Sequence, residues 1–145
     1  EIDFVNTQAG DLVEVQPAVR FNLSRHSRTQ ISHDFQRLDV KGGTLFTANL
    51  TQLSTVYQWN VRTFVRAILQ YTHVERTPEL YTALDPADVD PKSERLFTQL
   101  LFSYKLNPQT VFFLGYSDNS LADERIDLTR ADRTFFLKLG YAWLP

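Results

Sequence analysis

Apolar and polar residues alternate along most of the chain, and this period of two predicts β-strands. The pattern is clearest from Phe135 to Trp143, where one set of alternate residues is wholly apolar and the other includes Thr134, Lys138 and Gly140. Successive side chains of a strand point to opposite faces, so each segment has an apolar face and a more polar one. The alternation predicts strands near residues 11–24, 29–40, 44–59, 61–74, 93–106, 110–119 and 131–144, with the end of another at 1–7.

The length of these runs favours a membrane over a soluble core. The predicted strands have about 12 to 14 residues, whereas strands of soluble sheets usually have about 5 or 6 and a tilted membrane strand needs about 9 to 11. Alternation alone would also fit a soluble β-sandwich with one wet face. Strand length is therefore the first feature that separates the two alternatives.

Aromatic residues are predicted to form two belts on the apolar face. If the C-terminus lies in the periplasm and the strands alternate in direction, one belt falls at the periplasmic end and the other at the opposite end. The first belt comprises Tyr57, Trp59, Tyr104, Tyr141 and Trp143, and the second comprises Tyr71, Tyr116 and Phe135. Trp and Tyr favour the headgroup zone of a bilayer because the ring is apolar while its NH or OH stays hydrated.

The connections between strands are predicted to be short on one side and long on the other. Short turns are expected around Ser24–Arg28, Asn60 and Asn107–Pro108, and long loops at Glu75–Glu94 and Ser117–Asp132. The short turn at residues 41–43 is the exception on the long-loop side. This asymmetry is typical of outer-membrane barrels. The sequence therefore predicts an all-β, antiparallel up-and-down transmembrane β-barrel as a single domain over residues 1–145, with about eight strands or as the C-terminal strands of a larger barrel.

Composition removes several other classes of protein. The net charge of -2 and the pI near 5.9 provide no basic surface for nucleic acid, which is not expected as a partner. The chain has no cysteine, so disulfides and thiolate metal sites are excluded. No run of apolar residues reaches the length that a membrane helix requires. Because the chain begins at Glu1 without a leader, we expect that it has been processed or excerpted from something longer.

Two C-terminal segments carry a family resemblance. They read KLNPQTVFFLGYSDN from Lys105 and RADRTFFLKLGYAWLP from Arg130, and the earlier stretches FTANL, NVRTFVRAILQYTHVERTP and RLFTQLLFSYKLNPQT fit the same likeness. The chain resembles, over most of residues 38–145, the C-terminal barrel region of Gram-negative outer-membrane proteins whose N-terminal part looks like a family-nine carbohydrate-binding module. The resemblance implies an outer-membrane location and a longer native protein, and it carries over no catalytic residue.

Two features depart from that family pattern. The run from Ile31 to Val40, with His33, Asp34 and Arg37, is more polar than a lipid-facing strand should be. The chain also ends in Leu-Pro, whereas barrel proteins often end in an aromatic residue that the barrel assembly machinery recognises.

Polar side chains on the opposite face are candidates for the lining of a lumen. They are Glu14, Gln16, Arg20, Arg62, Arg66, Gln70, Gln99, Lys105 and Lys138. Rings of charged side chains can select solutes, so this face could attract anions or bind sugars. Alternatively, these side chains fill a narrow barrel of about eight strands, together with the inward Phe64, Phe97 and Phe136. The sequence leaves both alternatives open.

Other chemistry-bearing residues give weaker signals. The acidic segment from Glu75 to Glu94 could hold calcium weakly, but it lacks the EF-hand spacing and its glycine, so no metal site is predicted. His26, His33 and His73 do not have the spacing of a zinc site. His73 could meet the acids of the outer loops at a barrel rim, as in a surface hydrolase. No phosphate-binding glycine loop is present, and no cofactor is predicted.

The expected function is a membrane anchor or narrow pore in the outer membrane of a Gram-negative bacterium, without enzymatic activity. The resemblance implies a link to carbohydrate binding or uptake. The expected partners are outer-membrane lipid and lipopolysaccharide, the barrel assembly machinery during insertion, and a missing N-terminal part or a second chain. The alternatives are a soluble β-barrel or sandwich that binds an apolar ligand and a barrel-rim hydrolase.

Overall fold

The computed structural model describes residues 2–3, 8–81, 85–107, 109–123 and 127–142, and strands account for 81% of the residues described. The strands are β1 (Ile2–Asp3), β2 (Gln8–Val15), β3 (Ala18–Ser24), β4 (Ser27–Val40), β5 (Gly43–Asn60), β6 (Thr63–Arg76), β7 (Lys92–Asn107), β8 (Thr110–Asp123) and β9 (Thr129–Tyr141). Two single-turn 3-10 helices, Pro78–Leu80 and Pro86–Asp88, lie between β6 and β7. No helix in the described ranges combines the length and the apolar composition needed to cross a membrane.

All strand pairs are antiparallel, and neighbours in the sheet follow the order of the chain. The sheet runs β1-β2-β4-β5-β6-β7-β8-β9, with β3 beside β4 at the end of β2. The prediction of an all-β, antiparallel up-and-down architecture is confirmed. The strands do not close into a ring, because β1 and β9 are edge strands without a mutual pairing in the part of the chain that the structure describes.

The segment predicted as one strand over residues 11–24 is divided into β2 and β3. Both parts pair with β4 in one continuous register, since Val15 lies opposite Phe35 and Ala18 opposite Ser32. The interruption falls at Pro17, which has no N–H to donate to the ladder, although its carbonyl accepts from the His33 N–H at 3.0 Å. The prediction was therefore right about the path of the chain and wrong about its continuity.

The predicted long loop Ser117–Asp132 is wrong. β8 continues to Asp123 and β9 begins at Thr129, so most of this segment extends the hairpin. The polar composition suggested a loop, but cross-strand pairs support a sheet here, with Arg130 Nε 2.8 Å from Asp118 Oδ2. The other predicted loop is real but shorter, because β6 ends at Arg76 and β7 begins at Lys92.

The sheet buries few large apolar side chains. Leu38, Val40 and Leu45 form the one core cluster found among the described residues, and Leu80 and Tyr81 pack against it from the β6–β7 connection. Gly42 and Gly43 form the nearby turn with φ of 124° and 144°, which side chains other than glycine rarely adopt. This small core covers one end of the sheet only.

Candidate functional site

One face of the sheet is formed by apolar side chains in register. Val65 lies opposite Phe102, Phe102 opposite Leu114, and Leu114 opposite Leu137. We call the face that carries these four side chains the apolar face, and it also carries every second residue before and after them on the same strands. The residues in between project from the opposite face, which we call the polar face. The part of the chain that the structure describes does not cover the apolar face: Leu100, Leu114 and Leu137 are 46%, 45% and 68% exposed.

Exposed and half-buried apolar side chains form a band that crosses the strands obliquely. It covers Val65–Tyr71 on β6, Leu96–Tyr104 on β7, Phe112–Tyr116 on β8 and Phe135–Tyr141 on β9. On β6 the band ends at Tyr71, opposite Leu96, but on β8 it ends at Tyr116, opposite Leu100. These positions on β7 are four residues apart, roughly 13 Å along the strand.

The other edge of the band slopes in the same direction. On β7 the band ends at Tyr104. Tyr104 and Leu139 are at the same level of the sheet, because both lie opposite Phe112 of β8, but on β9 the band continues two residues further, to Tyr141. An apolar band whose two edges slope in the same direction corresponds to strands that are tilted relative to the band. Barrel strands that cross a bilayer are tilted in this way, by about 35–45°.

The aromatic residues predicted to form a girdle lie near the two edges of this band. Tyr57, Trp59, Tyr104 and Tyr141 are at the end where β3–β4, β5–β6 and β7–β8 connect, which we call the short-turn end. The set toward the opposite, long-loop end comprises Tyr71, Tyr116 and Phe135. Ring centroids are 4.9 Å apart in the Tyr57–Trp59 pair and 4.8 Å apart in the Tyr116–Phe135 pair. Trp143 lies outside the described residues.

The apolar face is interrupted on β4 and β5. Here the side chains are mostly polar and bond to one another: Thr29 Oγ1 is 3.2 Å from Thr55 Oγ1, and His33 Nδ1 is 2.8 Å from Thr51 Oγ1. The polar run noted in the sequence near Ile31 therefore belongs to a patch that spans two strands. Cross-strand hydrogen bonds satisfy part of its polar groups.

The candidates for lumen lining lie mostly on the polar face. Those in strands are Glu14, Arg20, Arg66, Gln70, Gln99, Lys105 and Lys138. Gln16 lies in the break between β2 and β3. Arg62, predicted within a strand, lies instead in the β5–β6 turn, where its N–H donates to Asn60 Oδ1 at 2.8 Å. An asparagine side chain that bonds two residues ahead is a common way to form a turn.

Neutral acceptors bind the arginines of the polar face. Arg20 donates to Gln30 Oε1 through Nε at 3.1 Å and through a terminal nitrogen at 2.8 Å. A terminal nitrogen of Arg66 is 3.5 Å from Gln99 Oε1, while the Arg66 Nε is buried and has no partner in the part of the chain that the structure describes. These guanidinium groups are therefore hydrogen-bonded, at least in part, but their charge is not neutralised by these contacts.

The polar face also contains close packing. A side-chain carbon added to Gly115 would lie 2.1 Å from the ring of Phe136, its neighbour on β9, so the aromatic ring covers this glycine. Ser103, on the adjoining strand, is buried. At the long-loop end of the sheet, a hollow of about 710 Å³ is lined by Leu50, Gln70 and Arg95 among others. The polar face is thus packed in part and open in part.

His73 lies in a charged cluster beyond the apolar band. Its Nε2 is 3.3 Å from Glu75 Oε1 and its Nδ1 is 3.3 Å from Glu94 Oε1, the latter without good hydrogen-bond geometry. Lys92 Nζ is 2.9 Å from the same Glu94 oxygen; this hydrogen bond lowers the pKa of Glu94 and raises that of Lys92. Within the described ranges, no hydrogen bond joins His73 to a hydroxyl nucleophile, and no group of three metal ligands forms.

The acidic loop residues do not converge on a site in the described ranges. Asp85 instead caps the second 3-10 helix by accepting from the Ala87 N–H at 3.0 Å.

Comparison of the chain with protein-family models, curated proteins and solved structures finds no match.

Proposed function

We propose that this chain forms part of the wall of a transmembrane β-barrel in the outer membrane of a Gram-negative bacterium, where it acts as an anchor or lines a narrow pore. The single observation that carries the proposal is the oblique band of exposed apolar side chains. In water such a band would be unfavourable by about 25 cal/mol for each Å² of apolar surface, whereas hydrocarbon tails would cover it. The aromatic side chains at its edges suit the headgroup zones.

A soluble β-barrel or sandwich is the main alternative, and it needs a second layer over the same face. The core cluster of Leu38, Val40 and Leu45 does not supply one, because it lies at the end of the sheet. Leu114 and Leu137 stay exposed in the middle of the band. Lipid is therefore the solvent that best fits this face.

The open edges of the sheet lead to a second part of the proposal. In hydrocarbon, each unpaired N–H or C=O of an edge strand would cost several kcal/mol. Since β1 and β9 do not pair with each other among the described residues, further strands must complete the ring. We assign them to an N-terminal part of the same protein or to a second chain, with lipopolysaccharide and the barrel assembly machinery as the other partners.

The proposed link to carbohydrate binding or uptake rests on the resemblance of segments such as Leu106–Thr110 and Phe112–Asn119 to barrels that carry a family-nine carbohydrate-binding module.

An enzymatic role is not part of the proposal. A rim hydrolase would use His73, which contacts Glu75 and Glu94. If that alternative were correct, the native protein would hydrolyse an ester or peptide substrate and His73→Ala would abolish the hydrolysis.

The proposal is tested by the partition of the native protein. We expect it to stay in the membrane fraction after washing with high salt and alkali, to require detergent for extraction, and to migrate faster on a gel when unheated than when boiled. Recovery of a folded protein from the aqueous fraction without detergent would contradict the proposal and support the soluble ligand-binding alternative.

A further inference from the structure

Charge is segregated along the strands of this sheet. Residues that lie opposite one another on successive strands form a row across the sheet, from β3 to β9: Arg20, Gln30, Ser54, Ile68, Gln99, Ser117 and Thr134. We call this row, together with all residues between it and the short-turn end, the short-turn half. It comprises residues 20–30, 54–68, 99–117 and 134–142.

The short-turn half contains only positive formal charges. Its lysines and arginines are Arg20, Arg25, Arg28, Arg62, Arg66, Lys105 and Lys138, and it has no Asp or Glu. The remaining 15 − 7 = 8 Lys and Arg, and all 17 acidic residues, lie elsewhere in the chain. The formal charges are therefore +7 and −9, which add to the net charge of -2.

The cations of the short-turn half are concentrated on the polar face. Arg20, Arg28, Arg66, Lys105 and Lys138 project from strands on that face, whereas the remaining two lie in turns. None of them takes part in the ion pairs found among the described residues, which join groups of the other half. The buried Nε of Arg66 in addition has no hydrogen-bond partner among the described residues.

These positions leave a positive surface without a counter-charge among the residues that the structure describes. Clefts with one sign of charge concentrate solutes of the opposite sign, and arginine forks bind phosphate and carboxylate oxygens in a bidentate manner. Lys138 is exposed on this face, and the side-chain hydrogen bond found for Arg66 among the described residues goes to the neutral Gln99. The neutral glutamines that border the half would not repel an anion.

We propose that the short-turn half of the polar face is an anion-binding surface whose ligands are small polyvalent anions of the phosphate or carboxylate type. This inference rests on the proposed function in one respect, because a barrel would make this face the wall of its lumen. It deepens that function by naming the class of solute. The long-loop half, with its excess of acids, would then receive the same anion less favourably.

The experiment uses the native protein in micelles of an uncharged detergent, titrated with inorganic phosphate by calorimetry and by NMR. We expect saturable binding that weakens as salt is added, since the attraction is electrostatic. Arg66→Gln combined with Lys138→Gln should weaken phosphate binding at least tenfold. The matched control, Lys41→Gln combined with Arg95→Gln, removes two charges from the long-loop half and should change it less than twofold.

Lys138→Gln alone is the second variant, because Lys138 is exposed and its loss should not disturb folding. It should weaken phosphate binding measurably while leaving the heat-dependent gel migration unchanged. Absence of saturable phosphate binding, or equal effects of the two double variants, would overturn the inference.

Lipid headgroups offer the same phosphate chemistry, so a second arm uses phosphatidylcholine vesicles with and without phosphatidylglycerol. If anionic lipid raises vesicle binding through Arg25 and Arg62 while free phosphate does not bind, the positive charge contacts the membrane surface and the inference is overturned. Phosphate binding by a protein that fails to enter membranes would contradict the proposed function and leave the anion surface in place.

Discussion

Leu100 and Leu101 are neighbours on β7, but they belong to opposite faces of the sheet. Leu100 lies opposite Ala67 and Tyr116 in the exposed apolar band, whereas Leu101 lies opposite Arg66 and Gly115 on the polar face. The protein covers Leu101 in part and leaves Leu100 46% exposed. The same side chain is thus stabilised in one case by protein neighbours and, under the proposed function, in the other by hydrocarbon tails.

The difference between the two faces also appears in how they pack. On the polar face, Phe136 lies over Gly115 and Ser103 is buried, so this face supplies contacts within the protein. On the apolar face, Leu137 and Leu139 project without a covering layer. The apolar residues of this face therefore do not act as a core, and their effect on stability should depend on the surrounding medium.

The largest expected effect comes from a charge placed in the apolar band. Leu100→Lys should lower the free energy of unfolding in lipid vesicles by about 2–4 kcal/mol, the range for a lysine or arginine near the bilayer midplane. The matched variant Leu101→Lys places the same charge on the polar face, where water can solvate it, and should cost less than half as much. Urea unfolding in vesicles measures both. Equal losses would mean that the two faces meet the same solvent.

An intermediate effect is expected from packing on the polar face. Gly115→Ala would force a methyl group against the Phe136 ring, and overpacking of this kind costs about 1–3 kcal/mol. Gly140→Ala is the control, because its added carbon would come no closer than 3.8 Å to the Val111 carbonyl oxygen. We expect that variant to stay within about 0.5 kcal/mol of the native protein.

The double variant Gly115→Ala with Phe136→Leu separates the clash from other causes. Removing the ring should recover part of the stability that Gly115→Ala loses, as measured by the same unfolding experiment. If the double variant lost more unfolding free energy than the two single variants lose together, the glycine would be required for a reason other than its contact with Phe136.

The alternation of side chains could predict the two faces because that pattern depends only on the pleat of each strand. It located β4 to β7 to within a few residues, as the segments 29–40 and 44–59 show against Ser27–Val40 and Gly43–Asn60. It could not predict the extension of β8 to Asp123. Beyond the apolar band most side chains of β8 are polar, Leu121 and Ala122 excepted, so the alternation stops while the strand pairing continues.

Two other features depend on information that alternation does not contain. The break at Pro17 keeps the register on both sides, so the hydrophobic pattern passes through it unchanged. Ring closure depends on which strands meet at the edges, which no local pattern specifies. The charge segregation, in contrast, could have been found in the sequence by ordering Arg66, Lys138 and Asp118 according to strand direction.

The smallest expected effect concerns the polar extension of β8 beyond the band. Hydrogen bonding from Tyr116 and the charges of Arg130 and Arg133 lower the pKa of Asp118 below its ordinary value near 3.8. A carboxyl whose pKa is lower in the folded state adds stability above its unfolded pKa and loses that contribution as the pH falls through its folded pKa. The native protein should therefore become less stable below about pH 4.

Asp118→Asn should remove that part of the pH dependence, so the variant would be less stable than the native protein near neutral pH and the two would converge in acid. The measurement is the urea midpoint in vesicles between pH 7 and pH 3. Asp34→Asn is the control, because no ion pair or hydrogen bond of the Asp34 side chain is found among the described residues. A native pH profile that Asp118→Asn leaves unchanged would mean that the Arg130 contact adds nothing to the hairpin, and that its strands are held by backbone pairing alone.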